Sequence, residues 1–573
     1  MFQKIKYVPF VIALLYAGSS LAQNFIFYGD KTFGGNVSDV WVTLLNTGNN
    51  NLVLSGATGT NVNGDKTDPL CDSTILSQFD AWLLKIDTSF NILWDKSIGG
   101  EMGEINPWLI KSGNNKMIFS CTSNSNSSCE KSENSRSFPS IGPDYWICMI
   151  DTNGNRIWDK TLGSSSGGDD LPRIIQLSTG DYIVAGTSSS PIGGDKTVAN
   201  YGMDDYWIVK LDSMGNKLWD KVYGGTSTES NNLYYETFSV LSDTLDAFIL
   251  AGTTDSPISG DISDTSRGVQ DVWLIKLDSA GTKLWDRRFG GSGADKCAHI
   301  IHANENGYIL CGTTASPQDG DVSDTSRGVE DCWVIKLDSL GNKQWDKRYG
   351  GNRSDIGTWI ECAPGGGYWV YAKSKSDSGF EVSEPRYGTS IVNDYWIFKI
   401  DETGAKLWDK RFGGPGDDIA TNFIIMPDSS IFLCGQGFEG TSAVKTDSGK
   451  GAWDYWVVHF KYTEGYVSIS ENPTAVTDIT VYPNPATDKL QLTFGCRPRA
   501  AEALAEAQGA EDASTDKTQK GIIKILNLIG EEVLQTKTEA ANTTLDIRHL
   551  ASGMYFITIQ TEEGEKSVKF VKE

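Results

Sequence analysis

The chain has 573 residues, a formal net charge of −24 at pH 7, and 61 glycines beside 18 tryptophans. That length exceeds what one hydrophobic core serves, so at least two domains are expected, and the acidic balance argues against nucleic acid or an anionic membrane surface as the main partner, since both need clustered Lys and Arg. Glycine and tryptophan richness with few long apolar runs predicts many short strands joined by tight turns.

Taken in order, the chain begins with Lys4 and Lys6, an apolar run from Tyr7 to Ala17, and the small-x-small site Ser20-Leu21-Ala22 before Gln23. This is the pattern of a secretory signal peptide over residues 1–22, and it predicts an exported protein. No cysteine follows that site, so no lipid anchor is expected. No other stretch approaches the roughly 20 apolar residues of a membrane span.

One stretch organises residues 24–462. Asp205 to Gly225, DYWIVKLDSMGNKLWDKVYGG, alternates Trp207, Val209 and Leu211 with Ile208 and Lys210, turns at Asp212-Ser-Met-Gly215-Asn216, then alternates again from Lys217 to Tyr223. A period of two on both sides of a glycine turn is a β-hairpin. Its Asp-x-Trp anchor ends at Trp82, Trp146, Trp207, Trp273, Trp333, Trp396 and Trp456, seven copies spaced by 60 to 66 residues. The return-strand anchor, Trp-Asp-Lys or Trp-Asp-Arg, occurs only six times, at Trp94, Trp158, Trp219, Trp285, Trp345 and Trp408. Asp39-Val-Trp41 follows Gly34-Gly35 directly, a different phase of the repeat, and is set aside as a coincidence.

A second hairpin separates successive copies, as in Ala298 to His302, the turn Asn304 to Gly307, and Tyr308 to Thr314. Each unit therefore carries four short antiparallel strands and must stack on its neighbours to bury both faces of its sheet. That is a propeller blade. The seventh unit runs through His459-Phe460-Lys461 without a returning Trp-Asp-Lys strand, whereas the N-terminal segment FIFYGDKTFGG (Phe25 to Gly35) matches KLWDKRFGG, with Gly29 where the tryptophan would be. The expectation is an all-β fold: a seven-bladed β-propeller of four-stranded blades, closed by an N-terminal strand that removes two open sheet edges.

Over these residues the chain resembles the glycine- and tryptophan-rich propeller proteins common among secreted proteins of Bacteroidota-type bacteria. The register Asp212-x-x-Gly215-x-x-x-Trp219 is also similar to the tryptophan-docking motif of quinoprotein propellers, where such residues lock blade to blade. Only the scaffold matches. The adjacent-cysteine pair and calcium constellation of that family are missing, so its cofactor is not carried over.

Residues 463–478 read as a polar linker. Then VYPNPATD (Val481 to Asp488), IKILNLIGEEVLQ, LASGMYFITI and the basic end KFVKE follow one another. Together they closely resemble the type A C-terminal sorting domain of the type IX secretion system, over residues 479–573. That resemblance implies an immunoglobulin-like β-sandwich that engages the type IX secretion machinery and delivers the protein to the medium or the outer-membrane surface. A departure is the Ala/Glu-rich insertion at 497–520, which reads as a loop or a marginal helix.

Ten cysteines in an exported chain invite disulfides. Cys121 with Cys148, Cys311 with Cys332, and Cys71 with Cys129 are the pairs that the repeat brings near one another, and connectivity stays open. Cys297, Cys362 and Cys434 read as small hydrophobes in strands.

The chemistry of individual residues is weighed against their repetition. Asp144, Asp205, Asp271, Asp331, Asp394 and Asp454 recur once per blade and are expected to bond backbone amides at strand starts, and Asp212, Asp278, Asp338 and Asp401 to serve hairpin turns, so no catalytic residue is drawn from either set. The loops between second and third strands, such as GTTDSPISGDISDTSRGVQD, are long and acidic. Their Asp261, Asp264, Asp321 and Asp324 are candidate calcium ligands, with Asx-turns as the alternative; no other cofactor is assigned. Aromatics that break the repeat, Trp359, Tyr368, Trp369, Tyr371, Tyr234, Tyr235 and also Trp108, are candidate ligand-binding groups for stacking on sugar faces, with gap-filling in the core as the alternative. His299 and His302 lie three apart on a strand and point to opposite faces, against a shared metal site. The expectation is an exported, monomeric binding module for an extracellular glycan or protein. A polysaccharide hydrolase or lyase and a structural surface-layer component remain as alternatives.

Overall fold

The computed structural model describes residues from 24 onward except 72–78, 114, 138–141, 230–237, 464–475, 483–485, 497–520, 528–531, 539–541, 562–563 and 573. The signal-peptide segment, most of the expected linker and the Ala/Glu-rich insertion therefore lie outside the described residues. What is described is all-β, with a single three-residue 3-10 turn at Thr244–Asp246. Phe25–Tyr462 forms one compact unit and Thr463–Glu573 belongs to another.

In the C-terminal unit, Val476–Tyr482, Lys489–Cys496 and Asn542–Asp546 form one antiparallel sheet, and Gly521–Leu526, Glu532–Thr538, Gly553–Thr561 and Gly564–Lys572 form a second. Leu490, Leu492 and Leu545 of the first sheet share a core with Ile523, Ile557, Ile559 and Phe570 of the second. Alternation places these residues on one face of each strand, which makes the unit a two-layer sandwich.

The larger unit holds seven four-stranded sheets, an arrangement consistent with a propeller. Six are built from consecutive strands within residues 39–98, 104–162, 169–223, 239–289, 295–349 and 355–412. In the seventh, Asp418–Ile425, Ser430–Phe438 and Trp453–Thr463 are followed in the sheet by Asn24–Phe33, the N-terminal strand.

One hydrogen bond recurs through all seven. The buried indoles of Trp82, Trp146, Trp207, Trp273, Trp333 and Trp396 donate from Nε1 to Asp95, Asp159, Asp220, Asp286, Asp346 and Asp409, and Trp456 donates to Asp30 of the N-terminal strand, all at 2.9–3.3 Å. An indole N–H in a dry core needs an acceptor, and the aspartate of Trp-Asp-Lys supplies it. Each of these carboxylates also accepts a backbone N–H from the loop between the second and third strands, at 2.8–2.9 Å, from Thr67, Ser132, Thr197, Ser263, Ser323, Ser383 and Thr446. Burial pushes Asp95, Asp159, Asp220, Asp286 and Asp346 upward, but their donors outweigh it and hold them below the usual carboxylate range.

The other repeated aspartates bond backbone amides, as the repeat implies. Asp144, Asp271, Asp331 and Asp394 accept from Arg136, Arg267, Arg327 and Tyr387 at 2.7–3.1 Å. The turn residue Asp212 accepts from Met214 and Asn216.

Between sheets, the second tryptophan of one hairpin lies on the turn glycine of the next. A Cβ on Gly215, at φ +85°, would sit 2.7 Å from the Trp158 ring, and the same relation pairs Trp94 with Gly154, Trp219 with Gly281, Trp285 with Gly341, and Trp345 with Gly404. Only glycine fits that space and that φ. At the seventh sheet the pair is reversed. Gly29 stands where the tryptophan would be, and the turn position of the first sheet is Phe90, at φ 67°, whose ring edge lies 3.8 Å from the Cβ position of Gly29.

Each sheet also buries one cation among its carboxylates: Lys66, Lys131, Lys196, Arg288, Arg348, Arg411 and Lys445, all at most 1% exposed. Arg288 pairs with Asp271 at 2.6 Å and Lys445 with Asp418 at 2.5 Å. The cation has two origins. In the first, second, third and seventh sheets the cation is a loop lysine, and Ser97 (which bonds Lys66), Thr161, Val222 or Thr32 holds the equivalent position on the last strand. In the fourth to sixth, that loop position holds Ile262, Val322 or Val382 and the last strand carries the arginine.

Cys71 and Cys129 form a disulfide with their Cα atoms 6.0 Å apart. Cys121, Cys148, Cys311 and Cys332 are free thiols, because Cys121 faces Trp146 across its strand pair and Cys311 faces Val334. Of the cysteines read as strand hydrophobes, Cys297 and Cys434 are buried and Cys362 is half-buried.

Asp30→Ala would leave the Trp456 indole and the Thr446 amide without their acceptor. At about 1–3 kcal/mol for each of the two donors left unpaired, it is expected to lower unfolding free energy by roughly 2–6 kcal/mol in urea titration of the mature chain. A midpoint within error of the parent would show that this strand does not hold the seventh sheet.

Candidate central cavity

The first strands of all seven sheets line one cavity of about 170 Å³. Seven residues hold the same register position in those strands, each opposite the residue before the glycine position of the second strand: Thr43, Trp108, Arg173, Ser239, His299, Trp359 and Asn422. Elsewhere the units repeat; here they diverge. In six of these strands a register shift falls just before this position, between Val40 and Thr43, Ile105 and Trp108, Asp170 and Arg173, Cys297 and His299, Gly357 and Trp359, and Ala420 and Asn422. A bulge re-aims the side chain that follows it. In the first three sheets it contains a residue at positive φ, namely Trp41 (56°), Asn106 (54°) or Leu171 (56°). For a tryptophan and a leucine that backbone is strained, the kind of outlier found at functional sites.

The strain is held by bonds to neighbouring sheets. Trp41 N–H donates to Gln436 Oε1 at 2.9 Å, and Leu44 N–H donates to Asn422 Oδ1 at 2.8 Å. Leu171 N–H donates to Thr122 Oγ1 at 2.9 Å, and the Ser120 hydroxyl to the Pro172 carbonyl at 2.8 Å.

An aromatic stack crosses the cavity. The Arg173 guanidinium lies 4.6 Å from the Trp108 ring centroid, Trp108 and Trp359 are 5.7 Å apart, and His299 stacks on Trp359 at 3.4 Å. His299 Nδ1 lies 3.2 Å from the Ile360 carbonyl, and burial pushes its pKa down to about 3 against that bond. Burial alone lowers Arg173 to about 10. Among the described residues lining the cavity there is no Asp or Glu. Further along the first, second, sixth and seventh of these strands a hollow of about 700 Å³ is bordered by Lys111, Glu361 and Met426. Glu361 accepts from Trp359 Nε1 at 3.0 Å, and burial raises its pKa to about 7.

Trp359 and Trp108 therefore stand in the cavity. Tyr368, Trp369 and Tyr371 are buried instead: Tyr371 Oη donates to the Cys434 carbonyl, and Trp369 meets Trp408 and Tyr462 edge-on. Their rings fill the interfaces between sheets. Tyr234 and Tyr235 lie outside the described residues. Asp264 and Asp321 both pair with Arg267 at 2.9 Å, and Asp324 accepts the Arg348 amide. Asp261 is half-buried, and its N–H donates to the Gly224 carbonyl, tying the loop to the connection between sheets. No cluster of three His, Cys, Asp or Glu suited to a metal occurs among the described residues.

The sequence reading missed Arg173, Asn422 and Thr43, and set Trp41 and His299 aside. A usable signal existed: counting four residues from Asp39, Glu104, Asp169, Asp295, Asp355 and Asp418 gives Thr, Trp, Arg, His, Trp and Asn, a variable position inside a repeat.

Residues 480–573 match the secretion system C-terminal sorting domain family. Such a domain marks an exported protein handled by type IX machinery and destined for the cell surface or the medium. No helix among the described residues is long and apolar enough to cross a membrane. Over 167 residues the chain is 26% identical to the regulatory protein FlaEY of Caulobacter vibrioides, a match spanning 28% of this chain and only 17% of that protein. Among solved structures it is similar to a protein of unknown function from Dyadobacter fermentans (9% identity, 62% of this chain and 94% of that one, TM-score 0.35). It is also similar to an ulvan lyase, of a new family of polysaccharide lyases, bound to its saccharide (9% identity, 75% and 97%, TM-score 0.39). At these scores neither likeness assigns an activity.

Because the folded pKa of His299 lies near 3 and its ordinary value is 6.5, the unfolded chain takes up the proton first. The neutral ring's contribution is complete above pH 6.5 and is lost as pH falls toward 3, on the order of 3–5 kcal/mol in full. His299→Gln should flatten the acid limb of stability measured by urea titration between pH 7 and 4. Parallel curves for parent and variant would contradict this.

Proposed function

We propose that residues 24–462 form a seven-bladed propeller closed by the N-terminal strand, which binds an extracellular glycan or protein through its central cavity. In this reading residues 1–22 direct export, 463–478 link the two domains, and 479–573 engage the type IX machinery. Closure is supported by Asp30, Thr32 and Gly29 standing where the repeat requires an aspartate, a small partner for Lys445 and a tryptophan's counterpart. One observation carries the binding role: the position that holds six different residue types in seven units is the one lining the cavity, and its side chains are hydrogen-bonding and aromatic rather than acidic. Hydrolysis of glycosidic bonds canonically uses a pair of carboxyl groups across the substrate. Of carboxylates that break the repeat, only Glu361 touches a residue of this ring among the described residues. The reading is therefore of a site that binds its ligand without turning it over.

A glycan array probed with the mature protein and with Trp359→Ala, backed by turnover assays on any hit, tests the reading. Retention of at least one glycan or envelope protein by the parent, lost at least tenfold in the variant and without cleavage, is the expected result. Cleavage of a hit would favour the hydrolase or lyase, and silence toward every glycan and envelope protein would overturn the binding role.

A further inference from the structure

We propose that the central cavity takes an oxyanion, a carboxylate or sulfate group on a compact ligand no larger than about one sugar residue, with Arg173 as the anion-binding group. This rests on the reading of the cavity as the binding site and names the chemistry of its ligand.

Arg173 is 8% exposed, lines the cavity, and has no carboxylate partner or side-chain hydrogen bond among the described residues; its Nε is a buried donor left unpaired. Every other deeply buried arginine of this unit has a carboxylate within ion-pair distance, Asp271 for Arg288, Asp331 for Arg348 and Asp394 for Arg411, and although each of these also leaves a guanidinium N–H unpaired, only Arg173 lacks the compensating charge. A buried charge without a partner is costly, so a fold that keeps one has a use for it. Lys296 also lines the cavity but already has an interaction of its own, so the charge on offer is that of Arg173, and no Asp or Glu is among the described lining residues of a chain whose net charge is −24. His299, held neutral, adds no charge. The cavity is thus a cationic spot in an acidic protein, where screening over about 8–10 Å lets the local guanidinium decide what is held.

The rest of the site fits an anion carried on an organic frame. A guanidinium offers paired donors that match the two oxygens of a carboxylate or sulfate, and Trp108 covers its face without competing for its N–H groups. Trp359, 5.7 Å from Trp108, adds apolar lining, and Asn422 is fixed by Leu44 through both ends of its amide. At about 170 Å³ the cavity is well below the roughly 300–1,000 Å³ of drug-sized sites, so only a small ligand or a terminal group of a larger one enters.

Isothermal titration of the full mature chain with sodium glucuronate, sodium sulfate, sodium acetate and glucose tests this. Saturable one-to-one binding of at least one anion, none by glucose at equal concentration, and at least tenfold weaker binding by Arg173→Met is the expected result. Glucuronate tighter than both sulfate and acetate identifies an acidic sugar, and equal affinities identify a free oxyanion. Should Arg173→Met not fold, Arg173→Lys, which keeps the charge and loses the paired geometry, must bind more weakly than the parent. Absence of saturable anion binding, glucose binding as well as glucuronate, or undiminished affinity in these variants overturns the proposal. Neutral glycans retained on the array without anion binding would sink this inference alone. Anion binding with no glycan or envelope-protein hit would instead sink the broader glycan or protein role.

Discussion

A buried tryptophan N–H bonded to a buried aspartate is the interaction on which every sheet of the larger unit depends. The indole needs an acceptor because no water reaches it, and the aspartate lies on the neighbouring strand of the same hairpin. The same carboxylate then captures the loop between the second and third strands. Core, hairpin and loop therefore stand or fall together, and the loops rest on a fixed base rather than on their own packing.

Buried charge follows the same logic. Carboxylates packed around the Gly-Gly turns need a cation, and each sheet provides one from either of two places. Where the loop gives lysine, the last strand gives Ser, Thr or Val; where the loop gives Ile or Val, the last strand gives arginine. The exchange conserves one buried cation at this place in each sheet. The seventh sheet obeys the rule only if Thr32 is counted as its last strand. The reversed pair of Gly29 and Phe90 obeys it in volume, since the ring absent from one side of the junction is supplied by the other. A cavity at the centre of such a frame can keep a strained backbone at Trp41 and Leu171 because side chains of the neighbouring sheets pin it.

Much of the frame is legible from residue pattern. Alternation around Trp207, the count of seven Asp-x-Trp anchors against six Trp-Asp-Lys or Trp-Asp-Arg anchors, and the likeness of FIFYGDKTFGG to a return strand all arise from local periodicity, which a single chain displays. Burial of Tyr368, Trp369 and Tyr371 was not legible, because an aromatic that breaks a repeat looks alike whether it fills an interface or lines a hole. Arg173 and Asn422 were hidden for a different reason: the bulges before them shift the register, and a side chain's direction after a bulge follows from strand pairing rather than from alternation. The bridge between Cys71 and Cys129 was among the pairs the repeat brings near one another, and which of those pairs closes rests on loop geometry that spacing does not contain.

The proposed closure, in which the N-terminal strand completes the seventh sheet as the last strand of a blade, is tested most directly by moving that sheet's buried charge. Lys445→Val alone should lower unfolding free energy by about 3–5 kcal/mol, because Asp418 loses its partner. The double variant Thr32→Arg, Lys445→Val copies the arrangement of Val382 and Arg411 and should recover at least half of that loss in urea titration. A double variant no more stable than Lys445→Val would contradict the closure of the ring by residues 24–33.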